Sequence, residues 1–223
     1  MNSLGNSKKT IQIILLNDVS TVLDDSNLIT GSSDVKISKE GLTQTNIIAQ
    51  NIQPYIKGIN AIYCSNVERL NKLIHQIKIK SNNHKLSQIP VSYSSALNER
   101  SFGVLTGSQH SLQSEIFRHS RICAENGETV AQVKYRIIEK IQDICNIHNK
   151  SLIISHSFAC QILFNALLDK NHTALTSFWL KKGSMSILNA TKGKFGFSWQ
   201  FEKAKNLIED TEISLNDIYN NLI

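Results

Sequence analysis

The first sustained apolar stretch runs from Ile11 to Leu16, is broken only by Gln12 and stops at Asn17 and Asp18. That is the pattern of a strand buried on both faces. Leu42, Ile47, Ile48, Ile52 and Ile56 then recur at roughly helical spacing and predict a helix over Lys39 to Ile56. Ser38 is its candidate N-cap, and Pro54 disturbs its end. The alternation repeats twice: Ala61 to Cys64 reads as a strand before a helix over Val67 to Ile79, and Ser151 to Ser155 as a strand before a helix over Phe158 to Leu168. A further strand is predicted at Ile89 to Tyr93. Thr129 to Asn149 places Val130, Val133, Ile137, Ile141 and Ile144 on one helical face.

Strands alternating with helices over short connections predict an α/β fold, a three-layer sandwich around a mostly parallel central sheet. Ser184 to Leu188 and Phe195 to Phe201 flank a turn at Lys192-Gly193, so a hairpin should add an antiparallel edge. Lys80 to Lys85 and Gly107 to Gly127 read as loops, the second within a lid or insertion around 94–128. Residues 1–10 read as a flexible N-terminus and 11–223 as one domain, long enough to bury a core without disulfides.

Composition narrows the function less than the pattern narrows the fold. A net charge of +6 permits an anionic partner, but the lysines are scattered from Lys8 to Lys205. Without a recognition helix or aromatic platform, nucleic acid is disfavoured. No stretch approaches the roughly 20 apolar residues of a membrane span, and Met1 to Thr10 lacks the apolar segment of a signal peptide. A cytoplasmic protein is expected. The four cysteines, Cys64, Cys123, Cys145 and Cys160, are widely separated and read as reduced thiols, Cys64 as a packed residue at a strand end. No metal or cofactor motif is visible.

Chemistry should gather at the carboxyl ends of the strands. Asn17-Asp18-Val19-Ser20-Thr21, followed by Asp24, Leu28, Thr30-Gly31, Asp34, Ser38 and Glu40-Gly41, resembles the opening of the histidine phosphatase superfamily, the phosphoglycerate mutase-like fold. Tyr63-Cys64-Ser65 with Arg69, Leu97-Asn98-Glu99-Arg100 with Phe102-Gly103, Gly127-Glu128-Thr129 with Arg136, and Ser155-His156-Ser157 match later family segments in order. The resemblance implies a division of labour in which a first histidine attacks phosphorus, arginines and a second histidine hold the phosphoryl oxygens, and a glutamate protonates the leaving oxygen. Carried over, Asp18, Glu99 and His156 fall at catalytic positions. Asn17, Asp24, Thr30, Gly31, Arg69, Arg100 and Ser157 fall at phosphate-binding ones.

The departures matter most. Asn17 and Asp18 stand where the family has its Arg-His pair, Gln161 where many members have an arginine, and Ser157 where they have glycine. Arg118-His119-Ser120 has similar letters but does not end the first strand. An aspartyl nucleophile ordinarily needs a cation to offset the meeting of carboxylate and phosphate; two like charges about 4 Å apart repel by roughly 4 kcal/mol at an effective dielectric near 20. The expectation is therefore a pseudophosphatase that binds a phosphorylated small molecule or a protein partner. The alternative is a divergent phosphomonoesterase using Asp18 or His156, a phosphatase and not a mutase because the segment between Glu99 and Gly127 is short.

Overall fold

The computed structural model of the protein describes residues 10–214, apart from 82–83, 112–122, 169–179 and 195. The described strands are β1 (Thr10–Asn17), β2 (Ala61–Ser65), β3 (Val91–Ser94), β4 (Lys150–Ser155), β5 (Ser184–Gly193), β6 (Gly196–Asn206) and β7 (Thr211–Ile213). They form one sheet in the order β3-β2-β4-β1-β5-β6-β7. The first four are mutually parallel, and β5, β6 and β7 each run antiparallel to the preceding neighbour. The antiparallel part is thus three strands wide, because β5 itself reverses against the buried β1.

The described helices are α1 (Val22–Asp25), α2 (Lys39–Asn51), α3 (Glu68–Lys80), α4 (His84–Gln88), α5 (Val130–Ile147) and α6 (Ser157–Leu168). Ser38 caps α2 as expected, its hydroxyl accepting the Gly41 amide at 3.0 Å. That helix stops at Asn51, short of Ile56, because Pro54 disfavours helical backbone at the residue before it. Of the expected loop over Lys80 to Lys85, residues 82–83 lie outside the described ones, and His84 and Lys85 open α4, which Leu86 anchors by burying its side chain. The hairpin strands extend beyond the predicted ends.

Side chains alternate across the sheet, and two cores result. Ile11, Ile13 and Leu15 face α5 and α6, with Val133, Ile137, Ile141 and Phe164. Ile14 and Leu16 face α2 and α3, with Ile48, Ile52, Leu70 and Leu73. This double burial brings the carboxyl ends of β1, β2 and β4 side by side: Asn17 lies opposite Ser155, and Cys64 opposite Ile154. No helix among the described residues is long and apolar enough to cross a membrane. The expected flexible N-terminus, residue 10 apart, and Arg118-His119-Ser120 lie outside the described residues, and the expected lid lies partly outside them.

Candidate active site

Asp18 follows the last residue of β1 and is 2 % exposed. His156, the first residue after β4, points its Nδ1 at Asp18 Oδ2 over 2.8 Å. Arg69, in the first turn of α3, brings Nη2 to 3.0 Å from that nitrogen and 3.6 Å from Asp18 Oδ2. On the other carboxylate oxygen, Lys182 Nζ stands 3.5 Å away and also pairs with Asp24 at 2.9 Å. Burial alone would push the Asp18 carboxyl up, but Lys182, the hydrogen bond and charge of His156, and the charge of Arg69 outweigh it and hold the group well below the usual carboxylate range. Burial likewise opposes the charge on Lys182, while Asp18 and Asp24 overcome it and raise its pKa.

The cleft above this cluster has a volume of about 90 Å³. Asp18, Asp24, Thr30, Gly31, Arg69, Glu99 and Ser157 all line it, so seven of the residues expected at the site meet there. Asp24 is oriented by a capping box, its Oδ2 accepting both the amide and the hydroxyl of Thr21 at 2.7 Å. Gly31 turns the loop with φ +57, in the region glycine favours. Glu99 reaches the cleft wall, but its carboxylate is engaged: it accepts the amides of Phe158 and Ala159, each at 3.0 Å, and of Arg100 at 2.8 Å. His156 sits behind Asp18 at 1 % exposure, with Nε2 2.7 Å from Ser65 Oγ.

Two expected phosphate ligands are placed elsewhere. Arg100 is buried between the rings of Phe102 and Phe158, its guanidinium carbon 5.4 and 5.3 Å from their centroids, and its Nε donates to Glu128 O. It braces the wall of the cleft without lining it. Asn17 is fully buried: Nδ2 donates to Leu180 O at 2.9 Å and Lys181 O at 2.8 Å, while Oδ1 accepts the Asp18 amide. Its amide straps 180–181 to the end of β1. Cys64 is buried, and burial pushes its thiol pKa up, away from the reactive thiolate.

Sequence reading did not single out Lys182 or His110, both of which line the cleft. Lys182 belongs to a basic stretch with no motif, and its partner Asp18 is 164 positions away. Only the antiparallel return of β5 beside β1 brings them together. Among the described residues, no set of three or more His, Cys, Asp or Glu side chains is arranged to hold a metal ion.

The sequence profile described as "Histidine phosphatase superfamily (branch 1)" matches residues 20–202, a span that begins just after Asn17 and Asp18. No curated protein matches the chain significantly in sequence. Among solved structures, a mycobacterial glucosyl-3-phosphoglycerate phosphatase in complex with VO3 superposes with a TM-score of 0.74 at 15% identity, covering 86% of this chain and 97% of that one. The α-ribazole phosphatase of Shigella flexneri gives 0.68 at 18% identity over 86% and 95%. YhfR of Bacillus stearothermophilus gives 0.70 at 18% identity over 86% and 96%. At these identities the likeness is one of fold.

Proposed function

Starting from the premise that the chain belongs to the histidine phosphatase superfamily, branch 1, we propose that it is a pseudophosphatase that binds a phosphorylated ligand or a protein partner without phosphohistidine catalysis. The observation that carries this reading is Asp18, a carboxylate committed to His156, Arg69 and Lys182 where the family resemblance places the nucleophilic imidazole. His156 is a poor substitute. Both of its ring nitrogens have partners within 2.8 Å, and it is shielded from the cleft. The expected acid is also diverted, since Glu99 accepts three backbone amides. A cytoplasmic setting, in which the four free cysteines stay reduced, fits this reading.

A second reading has its own support. Asp18, Arg69, Lys182 and His110 share one cleft, and neighbouring structures carry the name phosphatase, so a divergent phosphomonoesterase with an Asp18 nucleophile and an imidazole acid is the competing assignment. Hydrolysis of p-nitrophenyl phosphate by the wild type, Asp18→Ala and His110→Ala separates the two. Pseudophosphatase behaviour is a background rate shared by all three proteins. Saturable turnover abolished in Asp18→Ala, with labelled acyl phosphate trapped on acid quenching, establishes the enzyme instead.

A further inference from the structure

We infer that Asp18 is the cleft's resident anion: its carboxylate takes the place of a phosphoryl group among Arg69, His156 and Lys182, so an external oxyanion gains these partners only when that carboxylate is removed. The inference rests on the proposed reading that Asp18 is not a nucleophile, and it explains what the substituted residue does instead.

The donors are almost fully committed inside the chain. Lys182 Nζ faces Asp24 at 2.9 Å, Val19 O at 3.2 Å and Asp18 at 3.5 Å. Arg69 Nη1 donates to Ser33 O at 2.9 Å, and Nη2 faces the His156–Asp18 pair. Of the nitrogens on Arg69, Lys182 and His156, only Arg69 Nε is buried without a partner. An incoming phosphate must therefore compete with Asp18 for the same hydrogen bonds and meet its negative charge at close range.

Asp18 is also fixed in place. Its amide donates to Asn17 Oδ1 at 2.8 Å, and its carbonyl accepts the Gly183 amide at 2.8 Å. Asn17 in turn holds the carbonyls of Leu180 and Lys181. The two residues at the family's Arg-His positions thus work together, one strapping 180–181 to β1 and the other neutralising Lys182. Asp18 is a plug anchored on both sides, and Lys182 is the cation that matches it.

The test is chemical rescue. Inorganic phosphate and acetate are titrated against the wild type, Asp18→Ala and Asp18→Asn, with chloride at matched ionic strength as control, by calorimetry and thermal unfolding. Phosphate should bind the Ala variant at least about tenfold more tightly than the wild type, because the charge-assisted donors are released. Acetate, itself a carboxylate, should raise the melting temperature of Asp18→Ala and leave the wild type unmoved. Adding Lys182→Ala should cancel both gains. If Asp18→Ala does not fold, Asp18→Asn, which keeps the shape and removes the charge, decides the matter by its phosphate affinity. Equal phosphate affinity in the wild type and the folded Asp18 variants overturns the inference while leaving the pseudophosphatase reading intact. Acyl phosphate trapped on Asp18 overturns that reading.

Discussion

Oε2 of Glu99 accepts the amide hydrogen of Phe158 at 3.0 Å, seating the carboxylate on the first turn of α6. Oε1 adds the amides of Ala159 and Arg100. A carboxylate at this end of a helix satisfies orphan N–H groups and meets the positive end of the helix dipole. Glu99→Ala should therefore cost about 1–2 kcal/mol of stability, with Glu99→Gln recovering part of it through its remaining carbonyl oxygen. Urea unfolding midpoints measure this. An unchanged midpoint in the Ala variant would show that the cap contributes nothing.

The Asp18 cluster makes stability depend on pH in one direction. Its carboxyl is held below the ordinary value of 3.8, so the unfolded chain takes up this proton first as the solution is acidified. The stabilisation is complete above that ordinary value and is lost as pH falls toward the folded one. Asp18→Asn has no such titration and leaves the buried Arg69 guanidinium without its carboxylate, a change that costs about 3–5 kcal/mol when one member of a buried pair is removed. The gap in melting temperature between wild type and variant should be widest near neutrality and should narrow below about pH 4. A gap constant from neutrality into acid would refute the assignment of the charge to Asp18.

The strands and helices were legible because both carry their periods openly: Ile11 to Leu16 could only be a strand buried on two faces, and Val133, Ile137, Ile141 and Ile144 only one face of a helix. Ordered motifs also predicted that Arg69 and His156 would meet. What they could not convey was direction. Leu97-Asn98-Glu99-Arg100 marks a segment, yet whether Arg100 turns into the cleft or lies between Phe102 and Phe158 is decided by packing among residues far apart in the chain. Lys182 was illegible for a related reason, since a lysine acquires meaning here only from the carboxylates opposite it.

Arg136 on α5 holds the segment that supplies one wall of the cleft. Its Nη1 donates to Ala96 O at 2.9 Å and Asn98 O at 2.8 Å, Nη2 to Glu99 O at 3.1 Å, and the fork closes on Glu128 through Nε at 2.8 Å and Nη2 at 2.9 Å. Lysine offers a point charge in place of this planar set of donors. Arg136→Lys should consequently lower stability by about 1.5–3 kcal/mol, the range of a lost hydrogen bond to a charged group. Arg136→Ala should be no milder. Denaturant titration tests the pair, and a lysine variant as stable as wild type would mean that charge alone suffices.

On the proposed pseudophosphatase reading, placing an Arg-His pair at Asn17 and Asp18 should not create phosphohistidine chemistry. Asn17 is fully buried and spends its amide on Leu180 O, Lys181 O and Ser157 Oγ while accepting the Asp18 amide. Arginine there brings a longer side chain and a charge into a closed site, with overpacking that costs about 1–3 kcal/mol before desolvation is counted. Asp18→His alone removes the carboxylate that bridges Lys182 to Arg69 and His156, leaving the Arg69 guanidinium facing an imidazole while Lys182 keeps Asp24. The combined Asn17→Arg and Asp18→His variant should thus melt several degrees below wild type and hydrolyse p-nitrophenyl phosphate no faster. Asn17→Arg alone should account for much of the loss, because it breaks the strap independently of the plug. Saturable turnover in the combined variant, absent when residue 18 is alanine beside the same arginine, would mean that the cleft had kept its catalytic geometry and lacked only the nucleophile.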